Sequence, residues 1–285
     1  MIKSKYICNN GDFYLNDSPV LTCKNRAFRY GDGLFETMHA SGTKVQFFNE
    51  HYSRLMYGIE KLYMSVSDYF TPKYINNLIV KLLNRNKLFQ GAKIRLSVFR
   101  SDGASYKPLS NNISFIIEAE ELEHAKYILN NKGLVIDIYN EIKKSADYFS
   151  DLSLSNALLF VLAEIYKQKN NIDDCIILNQ ENKIVEAVNS NIFIVKNNQL
   201  YTPSLTDGCI PNIMRNQIIK TALSLNYIVF DDCNIKPTDL LSADELFLTN
   251  AIFGIKWIVA YKNRRYFSKT SKILNNKLNE ISFDD

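Results

Sequence analysis

Ile184-Val185-Glu186-Ala187-Val188-Asn189-Ser190-Asn191-Ile192-Phe193 is the stretch on which the reading of this chain turns. Two apolar runs, Ile184 to Glu186 and Ile192 to Lys196, flank a polar Asn-Ser-Asn and read as successive strands. Taken alone, Glu186 would be a solvated glutamate on a hairpin. Working outward, Cys175 to Leu178 and Leu200 to Thr202 read as further strands, with Asn197-Asn198 as a tight turn before the latter. Leu134 to Tyr139 opens this half as a strand. Ala157 to Lys167 reads as a helix apolar over most of its circumference, hence buried. Met214 to Leu225 is a second helix, Glu245 to Thr249 and Ile255 to Tyr261 are strands, and Ser268 to Leu278 is a polar-faced helix.

The first half has a different order of elements. Ile2 to Cys8 is a strand followed by the turn Asn9-Asn10-Gly11-Asp12. Leu34 to Ala40 and Lys44 to Phe48 form a hairpin about Ser41-Gly42. Asn49 is the expected N-cap of a helix carrying Leu55, Ile59 and Leu62. Thr71-Pro72 starts another helix, where proline at the first turn loses no hydrogen bond. Lys93 to Arg100 and Ile113 to Glu120 are adjacent strands. Strands, helices and strands again predict an α+β domain over residues 1–120, a linker at Glu120 to Lys126, and a C-terminal α/β domain over 121–285.

Composition narrows the function classes. At 285 residues the chain is long enough for two medium domains with substantial cores. A formal charge of only +4, with basic residues scattered, gives little electrostatic support for a nucleic-acid or membrane-surface role. No apolar run reaches membrane-spanning length. Cys8, Cys23, Cys175, Cys209 and Cys233 are odd in number and widely spaced, and His39, His51 and His124 form no metal spacing. Reduced thiols, no metal and a cytoplasmic location are expected, with no signal peptide in Met1-Ile2-Lys3-Ser4-Lys5-Tyr6.

Five further stretches complete the pattern around Glu186. They are Arg29-Tyr30-Gly31-Asp32-Gly33-Leu34-Phe35-Glu36-Thr37, Glu50-His51-Tyr52-Ser53-Arg54-Leu55, Leu152-Ser153-Leu154-Ser155-Asn156-Ala157, Gly208-Cys209-Ile210-Pro211-Asn212-Ile213-Met214-Arg215 and Thr249-Asn250-Ala251. Taken in order they resemble the class IV aminotransferases, the fold-type IV pyridoxal-phosphate (PLP) enzymes. That family includes branched-chain and D-amino-acid aminotransferases and aminodeoxychorismate lyases. The resemblance runs from about Gly31 to Ile258 and implies a two-domain fold of the D-amino-acid aminotransferase kind, with a PLP-type pocket at the domain interface and a homodimeric state. PLP chemistry needs a lysine for the Schiff base, a carboxylate on the pyridine nitrogen, a phosphate cup and a substrate pocket. The resemblance places the carboxylate at Glu186, with Asn191 at the family spacing. It places the phosphate contacts at Arg54, Ile213, Met214, Thr249 and Asn250. An arginine suits phosphate through its permanently charged fork.

The chain departs from the pattern at several positions. The family's Schiff-base lysine falls three residues before Asn156, at Ser153, whose hydroxyl cannot form that bond. Loss of the proton shuttle alone should cost roughly 10²–10⁴ in rate. Ser153 reads otherwise as the cap of a helix beginning near Leu154 or Ser155. A rearranged strand would be needed to bring in Lys143 or Lys144, so no lysine is expected beside Glu186. Asn212 replaces a glycine in the cup, and Met214 and Asn250-Ala251 lean toward the lyases, whereas Phe35-Glu36 leans toward the aminotransferases. The arginine sought for a substrate carboxylate near Ala104 is missing, which leaves Arg95 or Arg100, with Tyr30 and Phe35 as pocket walls. The resemblance therefore implies a protein of ancestral amino-group transfer or aminodeoxychorismate lysis, impaired or inactive at Ser153, with PLP held non-covalently. Two alternatives stand beside it. One is an active PLP-dependent aminotransferase or 4-amino-4-deoxychorismate lyase using another residue on an amino acid, keto acid or chorismate-derived ligand. The other is a non-catalytic ligand-binding or dimer-partner protein.

Overall fold

The computed structural model describes residues 4–101, 103 and 105–283. Ala104, near which a substrate arginine is sought, lies outside them. Contacts divide the chain into two units, Met1–Lys126 with Leu152–Asn156, and Tyr127–Asp151 with Ala157–Asp285.

The first unit is built on a six-stranded sheet. In chain order it contains β1 (Tyr6–Asn9), β2 (Asp12–Leu15), the short helix α1 (Arg26–Tyr30), β3 (Gly33–Ser41) and β4 (Lys44–Val45). Then come α2 (Phe48–Lys61), α3 (Pro72–Asn86), β5 (Gly91–Arg100) and β6 (Ile113–Leu122). The strand order is β2-β1-β6-β5-β3-β4, antiparallel wherever strands pair. Both helices bury one stripe on the core. Ile75, Leu78, Ile79, Leu82 and Leu83 of α3 recur at helical spacing and are buried with Leu55 and Ile59 of α2. Each such side chain contributes about 1.5–3 kcal/mol by leaving water. Thr71 caps α3 as expected, its hydroxyl accepting from the Tyr74 N–H at 3.2 Å.

Three details of this unit differ from the sequence reading. Helix α2 starts at Phe48, after a left-handed Phe47 (φ 52°) with no side-chain cap, so Asn49 lies inside the first turn. The hairpin is held as far as Gln46, whose N–H donates to His39 O at 2.8 Å, and the left-handed Phe47 then turns the chain into the helix. The charged stretch after Glu120 stays with this unit, since β6 runs to Leu122 and His39 Nε2 meets Ala125 O at 2.9 Å. Finally, Ser153 caps no helix. Residues 152–156 run extended beside β3, with the Phe35 N–H donating to Ser153 O and the Ser155 N–H to Gly33 O, both at 2.9 Å.

The second unit holds a nine-stranded mixed sheet. Its elements are β7 (Leu134–Lys144), α4 (Leu158–Lys169), β8 (Asp174–Asn179), β9 (Ile184–Ala187), β10 (Asn191–Lys196) and β11 (Gln199–Pro203). After a 3-10 turn at Leu205–Asp207 follow α5 (Ile213–Ser224), β12 (Ile228–Cys233), α6 (Pro237–Leu241), β13 (Glu245–Asn250), β14 (Gly254–Tyr261), β15 (Arg264–Arg265) and α7 (Lys269–Phe283). The order is β12-β11-β10-β13-β14-β7-β8-β9, with β15 on β14. Ile136, Ile176, Ile192, Leu246 and Ile258 fill one core cluster, and Tyr139, Cys175, Ile177 and Val185 pack with Ala163 of α4 in another. Asn197-Asn198 makes the expected hairpin turn, both residues left-handed.

Helix α4 is not buried as its composition suggests. Only Ala163 is fully enclosed, and Leu158, Val161 and Ile165 remain 63%, 52% and 41% exposed. One side of a helix is enough to cover the cluster beneath it, through Leu159, Phe160, Leu162 and Tyr166. The opposite side is left as an apolar stripe. Among the described residues no helix is long and apolar enough to cross a membrane.

Candidate active site

Glu186 stands in the middle of β9, with only 2% of its surface exposed. Hydrophobic neighbours force its strand into the sheet, so the carboxylate needs partners of its own. It has two. The Ile210 N–H donates to Oε2 at 3.2 Å, and the Lys144 ammonium donates to Oε1 at 2.5 Å. This overturns the expectation that no lysine lies beside Glu186.

The cause is an irregularity in β7. Tyr139 pairs with Ile177 and Lys144 with Asn179, so five steps along β7 match two along β8. The extra residues loop out as a bulge, which bends a strand and re-aims its side chains. Because Ile177 is also opposite Glu186, the bulge returns Lys144 to the face of the sheet that carries the carboxylate. The Lys144 ammonium is held further by Ser150 O at 3.0 Å and lies 5.7 Å from the centre of the Phe160 ring. In the sequence the only trace of this is the apolar Ile142 continuing past Tyr139.

Two neutral side chains, Asn191 and Cys209, pack close to the ion pair, and the charge of the buried Arg215 also reaches Cys209. Asn191 is fully buried and donates to Cys209 Sγ at 3.0 Å and Ile210 O at 2.9 Å, while its Oδ1 has no partner. Burial, and then the charge of Glu186, push the Cys209 thiol up to about 12, so it offers no thiolate near neutral pH. Gly208 turns with φ +103°, a conformation that favours glycine, and a Cβ there would sit a tight 3.2 Å from Ser145 O in the loop after β7.

The residues assigned to phosphate in this unit lie at two strand and helix ends. Ile213 and Met214 form the first turn of α5 and are buried, and the N-cap Asn212 makes no side-chain capping bond. The first N–H groups of a helix have no partner within it, which makes such a terminus attractive to anions. Thr249 lies opposite Asn191 in the sheet, and its buried hydroxyl also has no partner. Asn250 folds a turn instead. Its Oδ1 accepts from the Ile252 and Phe253 N–H groups, and its Nδ2 donates to Asn189 O at 3.1 Å.

In the first unit Arg54 grips a carboxylate. Its Nε donates to Glu36 Oε1 and its Nη2 to Oε2, each at 2.7 Å, and the His51 Nδ1–H donates to Oε2 at 2.6 Å. Burial by itself would push the Glu36 carboxyl up. The Arg54 charge and the hydrogen bonds from His51 and Arg54 outweigh it and hold the group below the usual glutamate range. Sequence reasoning finds Arg54 but misses Glu36 and His51 as its companions, although His51 precedes it by one helical turn.

The substrate candidates separate by what they touch. Arg100 is committed to the fold, donating to Asp32, Asn111 Oδ1, Tyr63 O and Leu62 O. Arg95 lies 3.6 Å over the Phe35 ring, and burial draws its guanidinium below the usual arginine value. Tyr30 is 37% exposed, its ring centre 5.5 Å from that of Tyr106 and 5.1 Å from the guanidinium of Arg26. Ser153 is fixed to β3 through its backbone and carries no amine. Among the described residues no group of His, Cys, Asp and Glu could hold a metal ion.

A family model described as amino-transferase class IV matches residues 33–261. The aminodeoxychorismate lyase of Vibrio harveyi is 23% identical over 247 residues, covering 85% of this chain and 89% of the relative. The D-alanine aminotransferase of Listeria monocytogenes is 24% identical over 255 residues, covering 88% and 85%. Among solved structures, a branched-chain aminotransferase from Thermoproteus uzoniensis with norvaline superimposes with a TM-score of 0.87. It is 23% identical, and the match covers 96% of this chain and 93% of that one. The fold is therefore the fold-type IV architecture expected from the motifs.

Proposed function

Because the chain belongs to the amino-transferase class IV family, we propose that it binds pyridoxal 5′-phosphate without covalent attachment and is impaired in amino-group transfer or aminodeoxychorismate lysis. The single observation that carries the proposal is the state of its amines. Ser153 offers none, and Lys144 is tied as an ammonium to Glu186. An ammonium in an ion pair has no lone pair with which to attack an aldehyde. The aldehyde of the cofactor lies across the ring from the nitrogen that Glu186 would serve.

The residues of the second unit fit the cofactor on three counts. Glu186 is a buried carboxylate suited to a ring nitrogen, and a protonated ring withdraws electrons from the reacting carbon. The first turn of α5 lacks a side-chain cap, which suits a phosphate. Thr249 Oγ1 and Asn191 Oδ1 are buried polar atoms without a partner, and such atoms are costly unless something satisfies them. Arg54, which the motif assigns to phosphate, donates its Nε and Nη2 to Glu36 within the first unit.

A second reading has the same contact in its favour. Among the described residues Lys144 is the amine that meets Glu186, and released from it the side chain would supply the amine that Ser153 lacks. The variant Ser153→Lys distinguishes the two. It is expected to gain the absorbance band of covalently held cofactor and some amino-group transfer. A folded Ser153→Lys protein that stayed inert while wild type turned over would mean that the missing lysine is not the defect.

Two broader properties go with this proposal. The exposed stripe Leu158, Val161 and Ile165 supports a homodimer. Five unpaired thiols support a reducing, cytoplasmic setting.

A further inference from the structure

We propose that Lys144 is an internal counter-ion that competes with the ring of the cofactor for Glu186 and so sets how tightly this site holds a pyridine. The inference rests on Glu186 being the partner of the ring nitrogen, as in the proposed function. Glu186 has one well-placed hydrogen bond from the backbone, Ile210 N–H on Oε2, and its other oxygen is taken by Lys144. The Lys144 side chain is only 11% exposed and has its own anchors in Ser150 O and the Phe160 ring. Its position therefore does not depend on a ligand.

A ring N–H⁺ and an ammonium are alternative partners for the same buried charge. With both present, one carboxylate faces two cations, and the neighbouring Cys209 stays a neutral thiol that adds no second anion. The ammonium is tethered, so it holds its place at a high effective concentration. A ring entering the site displaces it or binds without its own proton. Displacement weakens binding, because a buried ion pair is costly to break. Binding without the proton leaves the ring a poor electron sink. One contact thus lowers both affinity and chemistry.

Calorimetric titration of wild type and Lys144→Met with pyridoxal 5′-phosphate, and with pyridoxamine 5′-phosphate, tests this without any activity assay. Lys144→Met is expected to bind both about ten- to a hundredfold more tightly, the range of one charge-assisted hydrogen bond. Adding Glu186→Gln to that variant is expected to abolish the gain. Lys144→Gln, which keeps a hydrogen-bond donor without the charge, is expected to move in the same direction and serves if the Met variant does not fold. Equal or weaker binding by either folded variant overturns the inference, as does loss of the fold in both, which would make Lys144 a purely structural residue. If wild type binds and the variants gain nothing, only this inference falls. If wild type and every variant give the heats of a blank, the cofactor reading falls with it.

Discussion

At Glu36 two side chains of α2, His51 and Arg54, converge on one buried carboxylate of β3, and the sign of its titration follows from them. Its folded pKa is depressed, so its contribution to stability is fully present above the ordinary glutamate value of about 4.3 and is lost as pH falls through the lower folded value. Replacing it by glutamine leaves Arg54 and His51 facing a neutral amide. Breaking a buried pair from one side costs about 3–5 kcal/mol. Unfolding followed by circular dichroism from pH 7 downward is expected to show Glu36→Gln less stable at neutral pH, with the two curves converging in acid. Parallel curves would remove Glu36 from this role. Single residues also explain why Lys144 is hard to find in the sequence. Its neighbours Lys143 and Ser145 give no hint of a buried partner, and Glu186 lies 42 residues away.

At the scale of the element, regular periodicity is legible and its interruptions are not. The stripe of α3 and the cap at Thr71 follow directly from apolar spacing and from a hydroxyl before proline. The hairpin turn at Asn197-Asn198 does as well. The bulge of β7 does not, because it depends on which residues of β8 lie opposite, a tertiary fact. The segment 152–156 misleads for the same reason. Its serines look like a helix cap locally, but pairing with β3 takes the backbone into an extended course. Helix α4 shows the limit of composition, since an all-round apolar helix reads as buried, whereas only one face of α4 is covered. Ile165→Glu is expected to convert a dimer to a monomer in size-exclusion chromatography with light scattering, with little change in thermal stability. A wild type that ran as a monomer would contradict the proposed homodimer.

Over the whole molecule the ordered motifs decide more than any one of them, and the family match over residues 33–261 agrees with the span from which they are read. What such motifs transmit is the backbone: a carboxylate at mid-strand, a helix terminus, a turn at Thr249. They do not transmit the protonation and pairing of the side chains, which depend on contacts such as the one between Lys144 and Glu186. Amino-group transfer requires an amine free to hold the cofactor, and the proposed function leaves this chain with the cradle but not that amine. The most direct measurement is to load the purified protein with pyridoxal 5′-phosphate, reduce with borohydride and map the peptides by mass spectrometry. Cofactor bound before reduction, with no pyridoxyl adduct on any lysine afterwards, is the expected result; an adduct at Lys144 in stoichiometric yield would contradict it.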